Sequence, residues 1–207
     1  MIITIDGPSG VGKGTVVRLL AQHYGFASMD TGLLFRRVAY LLLQQGGDPH
    51  NETDILKAAA DLERTEAVPA TEFRTEAISQ TASKISMVLP LREKLLEVQR
   101  HFAEIKGNAI FDGRDMGTVV FPQADKKIFL TASTKIRAER RLKDLENQGL
   151  IGDFEEILRG IEERDLRDAT RVIAPTKPAE DAFILDTSHL SIDDVFKKCV
   201  SFIGPVG

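Results

Sequence analysis

Apolar β-branched residues open the chain as Ile2-Ile3-Thr4-Ile5 and give way at once to glycines, a pattern that predicts a buried strand running into a tight loop. Four more short apolar runs read as strands: Phe26 to Met29, Asn108 to Asp112, Lys127 to Thr131 and Phe183 to Leu185. Between them, apolar residues recur at helical spacing. Val16, Leu19, Leu20 and Tyr24 mark the buried face of a helix that Gly25 ends, and Leu34, Val38, Leu41 and Leu42 mark another, closed by Gly46-Gly47-Asp48-Pro49. Residues 51–88 carry two weaker helical patterns, Ile55 to Leu62 and Phe73 to Ser86, separated by Val68-Pro69-Ala70. From Pro90 onward, Leu91, Leu95, Val98, Phe102 and Ile105 describe one long amphipathic helix that Gly107 ends. A basic helical hairpin follows around the Gly149 to Gly152 turn, and Ser191 with Asp194 reads as the cap of a last helix. Strands alternating with helices over the whole length predict an α/β fold, a five-stranded parallel doubly wound sheet with helices on both faces. A single domain is expected over residues 1–207, with a short insertion at about 50–88 and a helical lid at about 135–171.

Composition narrows the classes of function. The net charge of −4 argues against nucleic-acid binding driven by bulk charge. The single cysteine, Cys199, cannot form an internal disulfide and sits on the apolar stripe Ile192, Val195, Phe196, Cys199, so packing is its expected role. No apolar run approaches the ~20 residues needed to cross a bilayer, and the first strand leaves no room for a signal peptide. A cytoplasmic protein without a membrane or nucleic-acid partner is expected, acting as a monomer. With four histidines and none at metal-ligand spacing, zinc is not expected.

The loop after the first strand carries the strongest chemical signal. Gly7, Pro8, Ser9, Gly10, Val11, Gly12, Lys13, Gly14 and Thr15 join strand to helix, so backbone N–H groups and the positive end of the helix converge on one point. That is a phosphate-binding loop, and Lys13 would reach the β- and γ-phosphates. Gly14 stands between the lysine and the Thr15 hydroxyl, a departure from the usual spacing. Two more polar clusters, Asp30-Thr31-Gly32 and Gly113-Arg114-Asp115, fall at the carboxyl ends of predicted strands, the rim where open parallel sheets bind ligands.

A second signal lies further on. Ile157, Ile161, Arg164, Asp168 and Arg171 follow at spacings of three and four, so one helix face changes from aliphatic to charged along its length. Charges on an inward face need partners, which points them into a cleft. The alternative is a solvated ladder of intrahelical pairs worth ~0.3 to 0.5 kcal/mol each. Arg36, Arg114, Arg164 and Arg171 can each hold a phosphate with a planar, permanently charged fork. Arg137, Arg140 and Arg141 on the basic hairpin could close over a nucleotide or form a solvated basic face.

These stretches resemble the bacterial cytidylate kinases, within the P-loop nucleoside monophosphate kinases, over nearly the whole chain. The similar segments are Ile5 to Gly10, Gly113 to Pro122, and Arg164-Asp165-Leu166-Arg167-Asp168 through Arg171. The resemblance implies transfer of the γ-phosphoryl of ATP to CMP or dCMP, with Lys13, Arg114, Arg164 and Arg171 as catalytic residues. It implies Ser83, Arg92, Asp115 and Arg171 around cytosine, Arg36 and Arg114 on the acceptor phosphate, and Thr31, Arg164 and Asp168 on the sugar. Magnesium is expected with ATP, with Thr15 and Asp112 as its protein contacts, directly or through water. Thr31 stands where many relatives have serine, Phe35 where tyrosine is usual, and residues 63–76 are shorter than the insertion many relatives carry. Another P-loop small-molecule kinase is the nearest alternative. A nucleotide-dependent switch is a more distant one, since no Asn-Lys-x-Asp stretch is present.

Overall fold

Five parallel strands, β1 (Ile2–Asp6), β2 (Ala27–Asp30), β3 (Ala109–Gly113), β4 (Lys126–Thr131) and β5 (Phe183–Asp186), form one sheet in the order β2-β3-β1-β4-β5. The computed structural model describes residues 1–147 and 149–206, so Gln148, inside the expected lid, and Gly207 lie outside it. Each predicted strand is present, displaced by one residue at most at either end. The two strands at the centre are the most apolar: β3 is buried throughout and β1 is buried from Ile3 to Asp6, because helices cover both of their faces.

On one face, α1 (Lys13–Tyr24) and α8 (Ile192–Ile203) pack Val16, Leu20, Val195 and Cys199 against Ile3, Ile5, Ile110 and Leu130. Cys199 is fully buried and its thiol is pushed up to about 12 by burial, which leaves it a packing residue. Ser191 and Asp194 cap α8 reciprocally, as their spacing predicted. On the other face, Phe111 packs at a tilt against Phe121, with ring centroids 4.3 Å apart, and meets Phe102 of α5 (Leu89–Lys106) edge to face.

Two predicted helix faces are corrected. In α1 the buried residues are Lys13, Val16, Val17 and Leu20; Leu19 is only half-buried, and so is Tyr24, which lies at the helix end with its hydroxyl donating to Gly204 O at 3.1 Å. In α5 the buried stripe runs Leu91, Leu95, Gln99, while Val98 and Ile105 are 38% and 65% exposed. Leu91 and Leu95 meet the insertion, whereas Leu96, Phe102 and Ala103 meet the sheet, so the packed face is one residue off the apolar periodicity.

The segment between α2 (Thr31–Gln44) and α5 folds as α3 (Glu52–Ala60), two 3₁₀ turns (Leu62–Thr65 and Ala70–Arg74) and α4 (Glu76–Ile85). It has its own core, in which Ile55, Ile78 and Ile85 pack on Val38 and Leu42 of α2. The basic hairpin is α6 (Thr134–Asn147) and α7 (Phe154–Thr170), and α7 reaches back to α4. Among the described residues, no helix is long and apolar enough to cross a membrane.

The register aligns the polar clusters. Asp6 pairs with Gly113 and Asp30 with Asp112, so the loops after β1, β2 and β3 leave the sheet at the same level. The sheet thereby builds one rim from three distant stretches of sequence.

Candidate active site

The loop after β1 takes its shape from glycine. Gly7, Gly10 and Gly12 have φ of 147°, 79° and 94°, and a Cβ on Gly7 would lie 2.1 Å from the Leu130 carbonyl oxygen of β4. Gly12 is the N-cap of α1 and offers no side-chain oxygen, which leaves the first N–H groups of the helix for a ligand. Lys13 is buried, and its Nζ donates to the carbonyls of Gly7 and Pro8 at 2.9 and 2.8 Å. Burial and the nearby Arg114 push the lysine down to about 7, with Asp112 at 4.0 Å opposing them.

Arg137 of α6 pins this loop from outside. Its guanidinium is 3% exposed, donates to Ser9 O and Ala132 O at 3.0 Å each, and pairs with Asp165 of α7. The solvated-face alternative therefore fails for Arg137. Arg140 donates to the Thr187 carbonyl at 2.5 Å, and the Thr187 hydroxyl donates to Val11 O at 3.2 Å. Arg141 lines a second cavity with Arg140, Asp144, Thr187 and Leu190 beside the glycine loop.

The larger cavity, about 590 Å³, opens from the same loop towards α4, α5 and α7. Thr31, Arg36, Ser83, Arg92, Asp112, Arg114, Asp115, Arg164, Asp168 and Arg171 all line it. Asp115 pairs with Arg92; burial raises its carboxyl, against the pull of Arg92 and Arg171. Ser86 joins the same end, accepting from Arg171 Nη1 at 2.6 Å, and Arg171 Nε donates to Ala174 O at 2.7 Å. Ala174 adopts a left-handed φ of 49°, a strained turn that puts its carbonyl under the guanidinium. Burial would raise Asp168, yet Arg114, Arg164 and the Ser83 hydroxyl hold it below the usual carboxylate range.

Arg114 and Arg164 approach Asp168 through Nε at 3.5 and 3.6 Å, and among the described residues neither buried Nε has a hydrogen-bond acceptor. Burial and Arg114 push Arg164 down to about 10, so it stays charged at neutral pH. Burial also pushes Arg36 down, Asp30 pulls it back, and Arg114 and Arg74 repel it. Buried cations with unmet N–H groups around a glycine loop make a site for phosphate oxygens.

The family model described as cytidylate kinase matches residues 3–204. This chain belongs to the cytidylate kinase family. It is 43% identical to cytidylate kinase 1 of Haemophilus influenzae over 221 aligned positions, covering 100% of this chain and 95% of that protein. It is 44% identical to a cytidylate kinase of Mannheimia succiniciproducens, covering 98% and 96%. In fold it is similar to a crystal structure of an uncharacterized protein from Eubacterium ventriosum, with a TM-score of 0.54 at 14% identity, covering 98% and 97%.

In this cytidylate kinase family member the expected site residues line two joined cavities, except Gly7, Pro8 and Arg137, which shape or brace the glycine loop from outside them. Asp6, Arg74 and Arg167 carry no local signal of a role in the sequence. Asp6 is buried and accepts from the backbone N–H groups of Met116 and Gly117 at 2.9 and 2.8 Å. It thereby ties the glycine loop to the wide turn Met116–Val120, whose existence only the tertiary contacts reveal. Arg167 sits between Arg164 and Asp168 in a charged stretch, but nothing local singled it out.

Proposed function

We propose that this protein transfers the γ-phosphoryl of ATP to CMP or dCMP, yielding ADP and the cytidine diphosphate. The observation that carries the reading is the junction of the glycine loop with an arginine-lined cavity that ends in an Asp115 carboxylate and the Ser83 hydroxyl. Phosphoryl transfer needs alignment and charge neutralisation more than covalent help. The loop amides and Lys13 receive the ATP phosphates, and Arg36 and Arg114 receive the acceptor phosphate. Arg164 and Arg171 neutralise charge beside them, Asp168 and Thr31 accept from sugar hydroxyls, and Asp115 and Ser83 accept from the exocyclic amine of cytosine.

The Thr15 hydroxyl and the Asp112 carboxylate border the phosphate end, a hard-oxygen pair suited to a magnesium ion that keeps phosphate and water ligands. Among the described residues, no cluster of three or more His, Cys, Asp or Glu could hold a metal, so the ion would arrive on ATP with few protein contacts. When bound, magnesium supplies neutralisation of phosphate charge. We assign 50–88 as the acceptor-binding insertion and 135–171 as the lid of a single domain, with Arg140 and Arg141 over the donor and Arg137 holding the loop. The working unit in this reading is a cytoplasmic monomer.

Turnover with a panel of acceptors tests the proposal. CMP and dCMP are expected to be the preferred acceptors; preference for AMP or for a non-nucleotide acid would replace it with another P-loop kinase activity.

A further inference from the structure

Arg36, Arg74 and Arg164 line both cavities, together with Ser9, Gly10, Gly12 and Thr15 of the glycine loop, so these residues mark the junction. With the acceptor in the larger cavity and the ATP phosphates on the glycine loop, as proposed above, the reacting phosphates meet beside this junction. Arg36 and Arg164 have carboxylates at hand, Asp30 and Asp168 respectively. Arg74 is different: among the described residues it forms no ion pair. Its charge instead bears on Arg36, repelling a cation that burial already disfavours. Arg74 is itself exposed, so water solvates its charge until a polyanion enters the gap between it and the two buried arginines.

The backbone on either side of Arg74 is anchored. It is the last residue of the 3₁₀ turn Ala70–Arg74, between a buried anchor and a helix cap. On one side Phe73 is fully buried, packed edge to face on Tyr40 at 5.3 Å. On the other side the Thr75 hydroxyl caps α4 by accepting from Ile78 N at 3.3 Å. Both neighbours are held by packing and capping, which fixes the backbone from which the exposed Arg74 side chain reaches the cavities it lines.

We infer that Arg74 is a catalytic residue that contacts the phosphoryl group as it passes between the two nucleotides. The inference rests on the kinase reading above, and it places one charge from the insertion on the reacting atoms. The insertion then does more than hold the acceptor base, because its order becomes a condition for turnover.

The test is steady-state kinetics of the intact protein with CMP and ATP for wild type, Arg74→Ala, Arg74→Lys and, as a control outside the cavities, Arg64→Ala. Binding of a dinucleotide joining cytidine and adenosine through five phosphates is measured beside it. The expected result for Arg74→Ala is a kcat lower by about 100-fold or more, with KM for CMP and ATP each within about threefold of wild type. Arg74→Lys recovers part of the rate, the bridging dinucleotide loses more affinity than CMP or ATP alone, and Arg64→Ala matches wild type. Near-wild-type kcat in Arg74→Ala, or a loss confined to KM, overturns the inference while leaving the kinase reading intact. A wild-type protein that does not phosphorylate CMP overturns that reading, and this inference with it.

Discussion

Ser83 on α4 donates its hydroxyl to Asp168 on α7 at 2.8 Å, joining residues that lie 85 positions apart. The same hydroxyl oxygen accepts from Arg167 Nε at 2.8 Å, and Arg167 Nη2 goes on to Gln80 at 2.5 Å. With its one proton committed to Asp168, Ser83 can only accept from a ligand, which suits the amine of cytosine. Ser83→Ala is therefore expected to weaken CMP about tenfold, in keeping with one hydrogen bond of about 1 to 1.5 kcal/mol. It should also lower the unfolding free energy by about 1 kcal/mol, because Asp168 loses a partner. Calorimetric titration of CMP and urea unfolding measure the two effects, and unchanged CMP affinity would count against a base-reading serine.

Asp115 lies between Arg92 and Arg171, which oppose the rise that burial imposes on its carboxyl. Asp115→Ala should weaken CMP binding more than tenfold while ATP binding changes little. Equal losses for the two nucleotides would assign the carboxylate to holding its arginines instead.

Lys13 lies folded against the Gly7 and Pro8 carbonyls of its own loop. Release towards the γ-phosphate would exchange two neutral acceptors for a charged one, a gain that exists only with substrate bound. Lys13→Ala is expected to cut kcat by about 100- to 1,000-fold with the cooperative melt retained. Normal turnover in that variant would remove the lysine from the reaction.

Asp6 is pushed up to about 7 from an ordinary value of 3.8, mainly by burial, against the N–H groups of Gly117 and Met116. The folded protein thus binds a proton that the unfolded chain has already released between those values. The stability from this group is fully present below about pH 3.8 and is lost as pH rises through about 7. Asp112, raised to about 6, adds a similar decline to any variant that retains it. Urea unfolding of the ligand-free protein from pH 4 to pH 8 should show a shallower decline in Asp6→Asn than in wild type. The variant should be less stable overall by about 1 to 3 kcal/mol, since an amide cannot accept both N–H groups. Parallel curves would rule out Asp6 as the source.

Residue order alone was enough to read the strands, the glycine loop and the charged stripe ending at Arg171, since each is a local pattern of spacing and residue type. Where it misled, two packing partners met one helix: α5 turns from the insertion to the sheet along its length, burying Gln99 and leaving Val98 at the surface. Where it was silent, the partner lay far away. Asp6 caps a turn 110 residues on, Arg137 reaches Ser9 across 128, and Arg74 joins Arg36 and Arg164 only through the folded insertion.

The sequence by itself determined that a phosphate is gripped, because amides at a helix start and a lysine after glycines carry that chemistry wherever they fold. The tertiary structure decided which charge answers which: Asp168 to Ser83 and two arginines, Asp115 to Arg92, Lys13 to its own loop. A buried charge takes its character from whatever surrounds it, and those surroundings come from strand register and helix packing, which local periodicity does not contain.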